Sequence, residues 1–398
     1  MTDRFDIVIS GGGVAGLTAA AAFGTAGFRT LCVDPAPPVT DEKTPGADLR
    51  TTAFLQPARA TLDRAGVWNR LAPFASALRV MRIVDAGGTD AEPRVTRDFA
   101  SDELGDVPFG WNLPNWLLRR ELLARLEELP TVDFRPGTGF ARAVTRTGEA
   151  IVTLSDATTL RTDLLIGADG RNSPVREAAG IGARTTRYGQ KAVTFAVTHD
   201  LPHDGVSTEV HRTGGPFTLV PLPDRDGRPC SAVVWMEAGP EALRLATMPE
   251  PTFEAEATER SAGLLGPLTL ASPRMVWPII SQLADRMAGE RIALMAEAAH
   301  VMPPIGAQGL NMSLADLTCL LDLAEARRDD LGSRAMLDTY QRRRHPEVQL
   351  RLRGIDALNR VSIAGGPMIN DLRARGIEVL HGIRPVRRGL MRLGLGAS

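Results

Sequence analysis

Lysine is nearly missing from this sequence: of its 46 basic residues, all but Lys43 and Lys191 are arginine. We read this mainly as coding bias. It still leaves the positive charge on planar, permanently ionised forks that suit phosphates and carboxylates. Neither sign of charge is in excess, since the formal net charge is −1, and nothing global points to nucleic acid. Long apolar runs are absent as well; none reaches the roughly 18 residues of a membrane span. The N-terminus has no basic n-region or cleavage site and runs straight into an apolar strand pattern, so the expected compartment is the cytoplasm. Cysteine is scarce. Cys32, Cys230 and Cys319 are far apart, odd in number and in no metal-ligand spacing, which predicts reduced, buried apolar side chains and no metal site. What is present is ordinary for a folded protein: 43% hydrophobic and 23% charged residues over 398 positions. That excludes a disordered chain and suggests packing for two or three domains.

The pattern along the chain is discontinuous. Phe5–Ser10 reads as a buried strand, followed by Gly11-Gly-Gly-Val-Ala-Gly16, an Ala-rich helix to Ala26 and a second strand, Arg29–Asp34. Gln56–Ala65 and Trp116–Glu128 have helical spacing, and Pro130 ends the latter. Alternating runs between Asp133 and Leu165 predict antiparallel strands. Buried strands recur at Asp163–Gly167 and Arg291–Met295. From Arg184 to Trp277 the chain reads mostly as strands, with helices near Glu241–Met248 and Phe253–Leu265. Pro303, Pro304, Gly306 and Gly309 predict a loop, Asn311–Ala326 a helix, and the chain beyond Ser333 mostly helix. Arg342-Arg-Arg344 reads as a solvated helix face.

Three strand-to-glycine turns carry the chemistry. Gly11-x-Gly13-x-x-Gly16 lets backbone N–H groups approach a pyrophosphate at a helix N-terminus, and Asp34, closing the next strand, can accept from ribose hydroxyls. The plain alternative is a glycine-rich turn in an unrelated α/β unit. Asp169 and Gly170, followed by Ser173 and Arg176, suggest a second anion or nucleotide contact, against the alternative of an ordinary capped turn. Glu297 ends a third buried strand. Beyond it, Pro303, Pro304, Gly306 and Gln308 give an extended, glycine-jointed backbone that can lie against a flat ring. The helix beginning near Gly309, Leu310 and Asn311 can present free N–H groups to that ring's electron-rich edge. His300 reads as a structural histidine beside this loop.

These motifs in this order, with Asp48-Leu-Arg50, Leu62–Trp68, Asn112-Leu-Pro-Asn115 and Pro303–Asn311, resemble the single-component FAD aromatic hydroxylases, and in detail their ubiquinone-biosynthesis branch. The resemblance spans essentially the whole chain. It implies an α/β (α+β) fold like that of p-hydroxybenzoate hydroxylase: a Rossmann-type FAD-binding domain in discontinuous segments (1–75, 111–182, 279–340), a mixed β-sheet substrate domain (76–110, 183–278) and a C-terminal helical segment (341–398). It further implies that Gly11, Gly13, Val14, Ala15 and Gly16 surround the FAD pyrophosphate and Asp34 its ribose. Arg50 and Asn115 would lie near the phosphates or ribityl chain. Asp169 and Gly170 would serve FAD and a passing nicotinamide, and Glu297 the ribityl chain. Gly309, Leu310 and Asn311 would face the isoalloxazine. Two departures stand out: Ala296-Glu297 replaces the usual Gly-Asp, and Asn115 stands where relatives often carry an arginine.

The implied reaction uses NAD(P)H and O2 to hydroxylate a phenolic, prenylated quinone precursor through a flavin hydroperoxide. No general base stands out in the sequence; His211, Arg212 and Tyr188 are the candidates in the substrate region. A hydroxylase of a soluble aromatic or polyketide, a reductase of isoprenoid double bonds and a non-catalytic flavoprotein subunit remain alternatives. The tail, Ile383–Gly394, mixes arginines with apolar residues. It suits either a helix packed on the body or contact with a membrane surface or a biosynthetic complex.

Overall fold

The computed structural model describes residues 3–86, 93–212, 214–363, 381 and 383–395. Part of the expected C-terminal segment therefore lies outside the described residues.

An eight-stranded sheet is built on Arg4–Ser10, which pairs in parallel with Thr30–Asp34 on one side and Thr159–Gly167 on the other. Thr159–Gly167 in turn pairs in parallel with Ile292–Leu294, and Thr30–Asp34 with Val132–Pro136. Ile7, Val8, Ile9, Leu164, Leu165 and Ile166 are fully buried, as expected of parallel strands covered on both faces. Strands distant in sequence thus end side by side, and the turns that follow them share one edge of the sheet.

A nine-stranded mixed sheet carries a second layer. The long strand Ala183–Thr198 pairs antiparallel with Arg228–Ala238 and Met275–Ala284, and Val206–His211 runs parallel to Val80–Asp85. Alternation divides its faces. Val193, Phe195, Val197, Phe217, Leu219, Val233 and Trp235 pack under the helices Gly239–Thr247 and Glu250–Arg260. Ala192 and Met236, on the opposite face, form a separate apolar cluster with Ile279. A small third sheet, Thr51–Leu55, Gly110–Pro114 and Ser76–Leu78, joins the layers: Asn112 Nδ2 donates to the Pro221 carbonyl at 2.9 Å.

The fold class matches the sequence reading, but three local readings are corrected. The second of the two short helices ends at Arg260 rather than Leu265, with left-handed Ala262 and Gly263 after it. The helix expected from Asn311 starts at Gln308, because Ala307 takes a left-handed conformation (φ 55°) and lets the chain enter the helix earlier, so Gly309 is helical. Arg344 is not on a solvated face. Arg342 and Arg343 are exposed, but Arg344 is buried and donates from Nε to Asp316 Oδ1 at 2.9 Å.

Asp316 is fully buried and binds on both oxygens. Its Oδ2 lies 2.6 Å from His300 Nε2 and accepts from the Ala296 backbone N–H at 3.2 Å. Burial works against its ionisation, yet the charges and hydrogen bonds of His300 and Arg344 hold the carboxyl below the usual carboxylate range. A carboxyl depressed in the folded state contributes stability that is present above its unfolded pKa and is lost as pH falls through the folded value. Asp316→Asn leaves the buried Arg344 with only the exposed-side Glu347 as an anion, and should cost about 3 kcal/mol in denaturant unfolding at neutral pH. The gap from wild type should narrow as pH falls below the carboxylate range.

Candidate cofactor and substrate site

The first turn is shaped by what its glycines exclude. Gly11 has φ 118°, and a Cβ there would lie 2.3 Å from the Ala168 carbonyl oxygen; a Cβ at Gly16 would lie 1.9 Å from the Gly11 carbonyl oxygen. These two positions weld strand, helix and the Asp169 turn together. Gly13 differs: a Cβ there meets no heavy atom within 4 Å. It precedes the helix Val14–Thr25, which has no side-chain cap at its N-terminus. Open space before an uncapped helix start is the cradle a pyrophosphate needs. Val14 is buried and Ala15 half-buried in the first helical turn. Asp34 closes this side, accepting from Gly12 N at 2.5 Å and Ala36 N at 2.8 Å.

Asp169 approaches from the neighbouring strand. Its Oδ2 accepts from Val175 N at 3.1 Å and Ser10 Oγ at 3.4 Å, while its buried Oδ1 has no donor. Burial raises its carboxyl above the usual range despite these bonds. Gly170 follows at φ 83°. Arg176 ties this turn to the third, donating to the Ala298 carbonyl at 2.8 Å.

In the third turn Ala296 is left-handed (φ 55°), and Glu297 is exposed between buried neighbours. Glu297 acts electrostatically on Arg50, which grips Asp48 through Nε at 2.8 Å and Nη2 at 2.7 Å. Burial opposes ionisation of Asp48, but Arg50, with Asn115 and Arg119, holds its carboxyl below the usual range. Asn115 is spent on this clasp: its Nδ2 donates to Asp48 at 3.0 Å and its Oδ1 accepts from Thr52 Oγ1 at 2.8 Å. The Arg50 guanidinium lies 4.1 Å from the centre of the Trp277 ring, a cation–π contact that reaches the second sheet.

The loop 303–309 completes the arrangement. Pro303 is buried, Pro304 exposed and Gly306 left-handed (φ 62°). Gln308 accepts from Arg351 at 3.0 Å and donates to the carbonyls of Gly306 at 2.8 Å and Gly394 at 3.2 Å. The helix Gln308–Ala326 starts without a side-chain cap, and a Cβ at Gly309 meets nothing within 4 Å. Leu310 packs on the main core. Asn311 stitches the helix to the first strand of the small sheet, accepting from Leu55 N at 2.8 Å and donating to the Ala53 carbonyl at 2.7 Å. His300 is held by Asp316 and is structural.

An open glycine cradle, two uncapped helix starts, an exposed carboxylate beside an arginine and an unsatisfied Asp169 oxygen together fit a flavin dinucleotide. Sequence reasoning did not assign Trp277 and Asp316 to this region; each acts through a partner more than fifteen positions away and has no local motif. Of the other sequence candidates, His211 pairs with Glu209 at 2.7 Å and Arg212 lies 3.4 Å from Glu259.

The family model described as an FAD binding domain matches residues 4–354. The ubiquinone hydroxylase UbiL of Rhodospirillum rubrum is 33% identical over 98% of this chain and 89% of its own length. The human mitochondrial ubiquinone biosynthesis monooxygenase COQ6 is 27% identical over 97% of this chain and 92% of its own. Among solved structures, p-nitrophenol 4-monooxygenase PnpA from Pseudomonas putida superposes with a TM-score of 0.79 at 20% identity, covering 99% of both chains; that likeness concerns the fold alone.

Gly13→Ala fills the cradle without touching protein atoms. It should leave unfolding within about 0.5 kcal/mol of wild type but weaken FAD binding by roughly tenfold or more, about 1.4 kcal/mol, in a flavin-fluorescence titration. Gly16→Ala forces backbone apart and should lower the melting temperature and FAD binding together.

Proposed function

This chain belongs to the FAD-binding-domain family, as an FAD-dependent monooxygenase of the ubiquinone-biosynthesis hydroxylase type, and from that premise we propose that it hydroxylates a phenolic, prenylated ubiquinone precursor with NAD(P)H and O2. The observation that supports the substrate class is the apolar face of the second sheet: Ala192, Met236 and Ile279 form a cluster against which Tyr188, Val234 and Ile305 of the 303–309 loop each pack. An aromatic ring with an isoprenoid chain matches such a wall; a polar substrate does not.

Bound FAD supplies the electron transfer and oxygen chemistry. The chain's residues bind and orient. Gly11, Gly13, Val14, Ala15 and Gly16 would hold the pyrophosphate with the first helix N-terminus, and Asp34 the ribose. Asp169 and Gly170 would face the dinucleotide and the incoming nicotinamide. Glu297 and Arg50 would hold the ribityl side, with Asn115 acting through Asp48, and the start of the helix at Gly309, Leu310 and Asn311 would meet the ring edge. Glutamate at 297 retains the acceptor charge on a longer arm. Pro303, Pro304 and Ile305 would keep water from the reacting centre; Gly306 and Gln308 set the path of that loop.

Among the described residues no helix is long and apolar enough to cross a membrane. The helix Arg384–Leu395 rests on the body through buried Met391 and an Arg387–Glu103 ion pair at 2.6 Å, while Arg388 and Arg392 are exposed. We assign those two arginines to an anionic membrane surface, from which a prenylated substrate would arrive. Arg388→Glu with Arg392→Glu should reduce sedimentation with phosphatidylserine vesicles by roughly tenfold or more, at about 1 kcal/mol per removed cation; unchanged sedimentation removes the surface role.

The direct test uses the FAD-loaded chain. A prenylated phenol should stimulate NAD(P)H consumption and gain one oxygen atom by mass spectrometry, and a host lacking the protein should accumulate the unhydroxylated quinone precursor. Stoichiometric peroxide with no product from any phenol would overturn the hydroxylase reading. Turnover confined to unprenylated aromatics would overturn the substrate class.

A further inference from the structure

Tyr188, one of the general-base candidates in the substrate region, forms a cluster of three oxygens with Ser281 and Asp356. Tyr188 sits in the register break of the strand Ala183–Thr198, between Arg187 and Lys191, where the ladder to Met275–Ala284 is interrupted. It packs against the cluster of Ala192, Met236 and Ile279, on which Ile305 of the 303–309 loop also packs. Its hydroxyl lies 2.6 Å from Ser281 Oγ and donates to Asp356 Oδ1, and Ser281 Oγ donates to the same Oδ1 at 2.6 Å. Ser281 is buried on the neighbouring strand, and Asp356, half-buried, comes from the helix Arg334–Ile363.

Three oxygens in mutual contact need three hydrogens to bond along every edge. The two hydroxyls bring one each, and an ionised carboxylate brings none. With Asp356 ionised, one edge of the triangle therefore sets lone pair against lone pair, and the cluster is short by one proton. The cation that acts on Tyr188 is Arg360, one turn beyond Asp356 on the same helix. Burial first, and Asp356 after it, push the Tyr188 phenol up to about 12, so at neutral pH the tyrosine keeps its own hydrogen. On the same helix Asn359 is fully buried; its Nδ2 donates to Gln190 Oε1 at 3.2 Å and its Oδ1 has no donor. Acceptor capacity thus exceeds donors along this wall.

We propose that Tyr188, backed by Ser281 and Asp356, is the proton acceptor for the ring hydroxyl of the substrate, an inference that rests on the phenol-hydroxylase reading above. In this step the substrate O–H bond breaks and its electron pair stays on the ring oxygen, which makes the ring electron-rich for attack. The proton passes to Tyr188 Oη as the tyrosine's own proton moves to Asp356 Oδ1. The half-buried carboxyl then releases it to water. No oxidant or reductant takes part. Tyr188 is the catalytic residue; Ser281 and Asp356 are positioning and relay groups.

Two experiments on the FAD-loaded full chain test this. In the first, a 4-alkylphenol and its methyl ether are titrated while the flavin absorbance is followed. Wild type should favour the phenol by roughly tenfold, and Tyr188→Phe should bind both alike; equal affinity in wild type overturns the assignment. In the second, product formation from the alkylphenol is followed against pH. Asp356→Asn can still hold Tyr188 but cannot take its proton. It should lower the rate at pH 7 by about a hundredfold, with the rate climbing as pH approaches the phenol's own ionisation near 10. Tyr188→Phe should show the same rising profile, whereas wild type is flat there. FAD content and melting temperature control for misfolding, and Ser281→Ala, which leaves the helix contact in place, should give an intermediate profile. Product formed with wild-type pH dependence in all three variants overturns the base and leaves the hydroxylase reading intact. Hydroxyl-selective binding without product supports the anchor and counts against the hydroxylase reading instead.

Discussion

One buried carboxylate fixes the geometry on which the site depends. Asp316 takes His300 and Arg344 on its two oxygens and holds the backbone of left-handed Ala296 as well. It lies on the helix whose uncapped start faces the open ground at Gly309. The turn that exposes Glu297 and the helix that offers its N-terminus are therefore set against each other by a single charged group. A charge without water is costly unless every lone pair is used, and here nearly all are. The same requirement brings in the long C-terminal helix, whose buried Arg344 bonds Asp316 as well as Glu347 of its own helix. Tyr340, one turn earlier, adds a hydrogen bond to the Leu294 carbonyl at 2.8 Å.

A second clasp joins the layers. Asp48, Arg50 and Asn115 form a closed set of bonds, and Arg50 stacks on Trp277, whose Nε1 donates to Thr194 Oγ1 of the second sheet at 3.1 Å. A ligand that draws on Arg50 would thus be felt at the wall where the substrate is proposed to lie. This contact runs through a guanidinium already satisfied by a carboxylate, which is itself held by Asn115.

Local chemistry explains which parts of this were legible in the sequence. Strand, glycine turn and helix at residues 5–26 can be read because each step depends on neighbours: apolar alternation, a turn only glycine tolerates, and an alanine-rich run. The recurrence of such turns along the chain gave a discontinuous organisation, and the fold class was implied by the family resemblance that those turns carry in that order. Arg344 was misread because three consecutive arginines look solvated whichever one is buried, and its burial depends on Asp316, 28 positions earlier. The start of the Gln308–Ala326 helix was placed too late because nothing in an alanine announces a left-handed conformation; the surrounding packing imposes it. Tyr188 stood out only as a candidate, since Ser281 and Asp356 reach it from 93 and 168 positions away.

Gln308 has a consequence of its own. It holds Arg351 of the long helix with one end of its amide and the Gly394 carbonyl of the terminal helix with the other, so two remote segments meet at the start of the 303–309 loop's helix. The terminal helix is thereby mechanically coupled to that loop. A force that drew the terminal helix outward would be felt first at Gln308.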